Sequence, residues 1–149
     1  MNLKALLAGK GRGVHSISHD LMVEDAIRVM TRERTSALIV VRDEEPVGLL
    51  TESDILQSYV KSDGRPFGET VIADILSDRW VAARADERID ERLAMMLETD
   101  TECLPVAEEG RICGILFLRD LMQHRIEVLT SELMNLQEYV SSLQDAIID

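Results

Sequence analysis

The apolar positions of this chain change period several times, and each change marks an element. Leu3, Leu6 and Leu7 share one side of a short helical turn, which Gly9, Gly11 and Gly13 interrupt. Residues 14–17 read as a brief strand. Val23, Ile27 and Met30 return to helical spacing, with Glu24 and Asp25 suited to the positive end of the first turn. Residues 37–41 form an apolar run rich in β-branched side chains, a buried strand. Residues 43–46 turn, and 47–50 come back as its partner. Thr51 opens a second helix through Ile55, Leu56, Tyr59 and Val60. Residues 62–66, with Gly64 and Pro66, are a linker. A short helix at 71–76 then leads to a strand at 80–83, a helix at 89–98 and hairpin strands at 103–107 and 112–116.

The last helix keeps a different rhythm. Met122, Ile126, Leu129, Leu133, Leu136, Val140, Leu143 and Ile147 step by 4, 3, 4, 3, 4, 3 and 4, an a/d heptad seam with neither Gly nor Pro. Glu127, Glu132, Glu138 and Asp145 lie off the seam. So long a helix with one apolar stripe needs something to cover it. Either it folds back on its own domain or it pairs with another helix, in a homodimer or with a different protein. The homodimer is the simplest expectation.

The two middle stretches are copies of one another. Gly48-Leu49-Leu50-Thr51-Glu52-Ser53-Asp54 returns 66 residues later as Gly114-Ile115-Leu116-Phe117-Leu118-Arg119-Asp120. The register runs backwards without a gap: Val40 matches Val106, Leu38 matches Leu104, Thr35 matches Thr101 and Met30 matches Met96. An internal duplication of a β-α-β-β-α unit follows. A sheet so small cannot bury both faces alone, so the halves must pack together. The expected fold class is α/β (α+β), with repeat 1 and the N-terminal helix at 1–62, linker and repeat 2 at 63–124, and a heptad helix at 125–149.

Charge narrows the partners. Sixteen Lys and Arg stand against 28 Asp and Glu, a net charge of −12, which excludes a nucleic acid or an anionic membrane surface as expected partners. A small phosphorylated ligand stays open, because a few backbone amides serve it. No apolar run is long enough to span a membrane, and the first residues make a poor signal peptide, so a cytoplasmic location is expected. Cys103 and Cys113 lack metal-ligand spacing and are expected to be reduced side chains in strands. His15, His19 and His124 are scattered, and the glycine-rich stretch at 9–13 lacks a phosphate-loop ending. No metal site, no required cofactor and no catalytic residue are expected.

Thr51-x-x-Asp54 has two readings. It is a capping box with Asp in place of the usual Glu or Gln, or it is a ligand site at a helix start, with the aspartate on a vicinal diol and a phosphate on the amides. Gly48 and Gly114 favour the second, since capping needs no glycine there. So does the second copy, where Phe117 has no oxygen to cap with and Asp120 is still present.

Two tandem units closing on Gly-h-h-Thr/Ser-x-x-Asp resemble a pair of CBS domains over residues 13–124. The resemblance implies paired sheets with clefts between the copies, holding AMP, ADP, ATP, or in some members NAD(H) or S-adenosylmethionine, as a regulatory ligand. It implies that Asp54 holds ribose and Thr51 meets phosphate, with Ser16, Ile17, Ala37 and Leu38 lining the base. The second site is implied to use Asp120 and Arg119, with Val81, Ala83, Cys103 and Leu104 around the base. Two positions depart from the pattern. Phe117 replaces a hydroxyl and either fills its cleft, the favoured reading, or stacks on a base, and Ser53 stands where many relatives carry arginine. The expectation is a non-enzymatic sensor of an adenine nucleotide that signals through its dimer. The alternative is a degenerate scaffold that binds no ligand and serves as a dimerisation or docking adaptor.

Overall fold

A computed structural model describes residues 1–11, 13–76 and 80–148. In chain order the elements are α1 (Leu3–Lys10), β1 (Ser16–Ser18), α2 (Val23–Glu33), β2 (Ala37–Arg42), β3 (Glu45–Thr51), α3 (Glu52–Lys61) and α4 (Ile72–Ile75). The second copy follows as β4 (Ala83–Arg84), α5 (Ile89–Thr99), β5 (Cys103–Glu108), β6 (Arg111–Phe117) and α6 (Leu118–Ile148). Each copy holds a three-stranded sheet whose middle strand pairs parallel with the first and antiparallel with the third.

Strand alternation distributes the two faces. Leu38, Val40 and Leu50 pack on Val23, Ala26 and Ile55 in the first core, and Leu104, Val106 and Leu116 pack on Ile89, Leu93 and Leu121 in the second. The opposite faces, Ala37 and Ile39 against Cys103 and Ile115, form a third cluster that joins the halves. Both hairpins turn through residues of positive φ, Asp43 and Glu44 in one and Glu109 and Gly110 in the other, as tight antiparallel turns require. Pro46, expected in the first turn, lies within the edge strand β3 opposite Val41, beside a register shift at Val40/Val41.

The strand expected at 80–83 shrinks to two residues, and the duplication shows why. In the first copy the Ile39 N–H donates to the His15 carbonyl at 3.0 Å, which ties the incoming chain to β2 early. The matching residue in the second copy is Pro105, which has no N–H to give. Pairing therefore begins at Ala83, and Val81 is left largely exposed.

The connecting helices cross over. Leu3 of α1 is fully buried in the second copy's core, whereas Ile72 of α4 is buried in the first copy's. The two attach alike: the Leu3 N–H donates to the Glu87 carbonyl at 3.0 Å and the Ile72 N–H to the Leu21 carbonyl at 2.9 Å. The N-terminal helix, grouped with the first repeat by its place in sequence, thus packs with the second.

Helix α6 has 31 residues, about 46 Å of rise. Leu121 is buried against the body, and beyond Val128 every described side chain is exposed. The heptad seam does not fold back, and nothing in the described chain covers it.

Candidate functional site

Each closing motif meets the other copy. Thr51 is the N-cap of α3: the Thr51 N–H donates to Asp54 Oδ2 at 2.9 Å, and the Asp54 N–H donates to Thr51 Oγ1 at 3.2 Å. The capping box is therefore real, and it engages one carboxylate oxygen. In the second copy the Phe117 N–H donates to Asp120 Oδ2 at 2.7 Å, with no hydroxyl to complete the box.

Thr51, Ser53, Asp54 and Gln57 form one bank of a cleft of about 710 Å³. The facing bank comes from the second copy. Trp80, Cys103, Leu104 and Pro105 make an apolar wall, and Asp100 and Glu102 stand at its edge. Arg92 also lines the cleft, with its Nη2 held by both Glu87 oxygens at 2.7 and 2.8 Å. Burial pushes the Cys103 thiol up to about 11, helped by the negative charges of Asp54 and Glu102, so it is a neutral wall group at physiological pH.

The duplicated cleft has a different content. Phe117, Arg119 and Ile115 face Val14, Thr35 and Ala37 across a space of only about 30 Å³. Lys10 fills it: its Nζ lies 3.0 Å from Asp120 Oδ2 and 4.5 Å from the centre of the Phe117 ring. Filling by Phe117 was expected; the lysine was not. The rims carry opposite charge at matched positions. The residue after α2 is Arg34 and the residue after α5 is Asp100, both left-handed caps with φ of 53° and 54°.

Several expected site residues fall elsewhere. The linings expected for the two aspartates are exchanged: Asp54 and Thr51 share their cleft with Val81, Cys103 and Leu104, and Ala37 lies across from Phe117 and Arg119. The reason is the pairing of the halves, which sets the end of each third strand against the segment leading into the first strand of the other copy, Trp80 and Val81 in one cleft and Val14 and His15 in the other. Ile17, Leu38 and Ala83 are buried in the two outer cores and Ser16 is exposed on β1, and none of the four lines either cleft. Trp80 is the main wall residue missed, although it directly precedes Val81. The glycines also serve another purpose. A Cβ on Gly114 would lie 2.5 Å from Leu7 Cδ2, and one on Gly48 3.3 Å from Leu76 Cδ2, so Gly114 admits a leucine of α1 and Gly48 the leucine that directly follows α4.

Comparison with known proteins agrees with this architecture. The family model of the CBS domain matches residues 11–61 and again residues 72–127. The chain is similar to an uncharacterised protein of Methanopyrus kandleri, 27% identical over 120 residues, covering 78% of this chain and 61% of that one. It is also similar to the inosine-5'-monophosphate dehydrogenase of Methanocaldococcus jannaschii, 31% identical over 116 residues, covering 76% of this chain and 22% of the enzyme. The chain spans less than two thirds of either relative. Among solved structures, a candidate signal-transduction protein with CBS domains from Burkholderia ambifaria superposes with a TM-score of 0.78 at 25% identity, covering 85% of this chain and 95% of that one. With one match on each sequence repeat and a shared fold, the chain belongs to the CBS-domain family as a tandem pair.

Proposed function

We propose that this chain is a regulatory module that binds an adenosine-containing ligand in the Asp54 cleft and reports occupancy through α6 to a second copy. The observation that carries the reading is the cleft of about 710 Å³ between the copies, with an aspartate and a helix start on one bank and Trp80 on the other. A flat apolar wall suits a purine, a carboxylate suits a ribose diol, and the start of α3 suits a first phosphate. Output has a physical route. Glu102 lines the cleft, and its carbonyl accepts the Leu118 N–H at 2.8 Å, the first residue of α6. A ligand moves that helix only as far as it binds one arrangement more tightly than the other.

Thermal melting with AMP, ATP, NADH and S-adenosylmethionine tests the reading. At about 100 times its dissociation constant a true ligand adds about 2.7 kcal/mol of stability. The gain should vanish in Asp54→Ala. No gain with any of the four compounds, or an equal gain in Asp54→Ala, counts against it.

One observation favours the scaffold alternative. Each aspartate already caps its own chain, and one of the two clefts is filled. A crystal grown with nucleotide and showing an empty Asp54 cleft would decide for the scaffold.

A further inference from the structure

Lys10 ends α1 and reaches into the second cleft, where it makes three contacts. Its Nζ donates to Asp120 Oδ2 and to the Ile115 carbonyl, each at 3.0 Å, and sits 4.5 Å above the Phe117 ring. The lysine and aspartate side chains are only 17% and 20% exposed, so solvent screens this pair less than a surface pair. The helix is pinned at its other end by Leu3, fully buried, with Leu7 packed at Gly114 between them. The lysine therefore arrives already ordered, whereas a free ligand must displace it and lose its own freedom on binding. Asp120 Oδ2 also takes the Phe117 N–H at 2.7 Å. Among the described residues, Asp54 has no lysine partner, and Thr51 leaves open the space that Phe117 fills.

We propose that Lys10 is the resident occupant of the second cleft, so that the chain offers one adenosine site, at Asp54. Helix α1 is the element that sets this number. The inference rests on the nucleotide reading above. Arg34 and Arg119 stay at the rim, so the cleft once vacated suits a ligand bearing phosphate.

Equilibrium dialysis with labelled AMP tests it on the full chain, on Asp54→Ala, on Asp120→Ala and on the double variant Lys10→Ala/Phe117→Thr. The wild type should bind one equivalent, lost in Asp54→Ala and unchanged in Asp120→Ala. The double variant should bind two. Two equivalents on the wild type would overturn the proposal, as would a single equivalent on a double variant that melts cooperatively. If the double variant does not fold, the Asp120→Ala comparison decides, since a loss of affinity of about fivefold or more would overturn it. No binding of AMP on any of the four proteins, nor of ATP, NADH or S-adenosylmethionine in the same dialysis, would overturn the nucleotide reading itself, and this inference with it.

Discussion

The Glu102 carbonyl and the Leu118 N–H meet at 2.8 Å, so the rim of the open cleft is bonded to the first turn of α6. In the first copy the equivalent bond joins the Ser36 carbonyl to the Glu52 N–H at 3.1 Å, and there the helix that follows ends at Lys61. The same local device therefore starts a short helix in one copy and a 31-residue helix in the other.

Ligand binding and dimerisation should be coupled through that bond. With Leu133→Asp and Leu136→Asp together, AMP affinity is expected to change by about fivefold or more relative to the dimer, because coupling between two sites is reciprocal. Isothermal titration of both proteins measures it. Equal affinities would separate the cleft from the helix.

The seam itself predicts a parallel pair. Ile126, Val140 and Ile147 occupy a positions, where Leu133 is the exception, and Leu129, Leu136 and Leu143 occupy d positions. Keeping β-branched residues at a and leucine at d matters when a meets a, and it favours two strands. In a Cys113→Ser background, Leu143→Cys should form a disulfide between copies on mild oxidation, and the two seam aspartates above should weaken the dimer by at least about a hundredfold. An antiparallel pair would leave the thiols far apart.

Leu7 and Gly114 are a packing pair. Gly114→Ala should cost about 1 kcal/mol, because the new methyl forces Leu7 from its rotamer. Chemical denaturation of Gly114→Ala, Leu7→Ala and the double variant checks this, and the two costs should not add. Gly48→Ala, with its nearest contact at 3.3 Å, should cost less.

Cys103 predicts a loss of stability at alkaline pH. Its thiol titrates at about 11 in the fold against 9.0 in the open chain. Below pH 9 both states keep the proton and the difference has no effect. Between pH 9 and 11 the unfolded chain gives its proton up first, so stability falls as pH rises. The loss attributable to this thiol should be on the order of 2 kcal/mol. Urea unfolding across that range should show a steeper decline in the wild type than in Cys103→Ala. Iodoacetamide should reach exposed Cys113 well before buried Cys103.

Much of this fold was legible because the duplication is. The matched apolar positions place both hairpins, both packing helices and the cap residues, and the heptad spacing marks α6 as a helix that needs a partner. What stayed hidden depends on contacts between residues far apart in sequence. Nothing near Lys10 points to Asp120, 110 positions away. The exchange of linings between the clefts follows from how the copies pack, which a reading of each copy by itself does not contain. The glycines show the same limit. Their small size was legible, but the leucines they admit, Leu7 of α1 and Leu76 just after α4, come from outside their own repeat. The shortened β4 was within reach, since Pro105 against Ile39 is a visible departure from the repeat and a missing N–H has a direct consequence.

Trp80 is the chain's one tryptophan and stands on the wall of the open cleft, so its fluorescence reports the central claim directly. Titration with AMP, ATP, NADH and S-adenosylmethionine should give a saturable change with at least one of them, abolished by Asp54→Ala and kept in Asp120→Ala. A flat response to all four, or a signal that depends on Asp120 and not on Asp54, would contradict it.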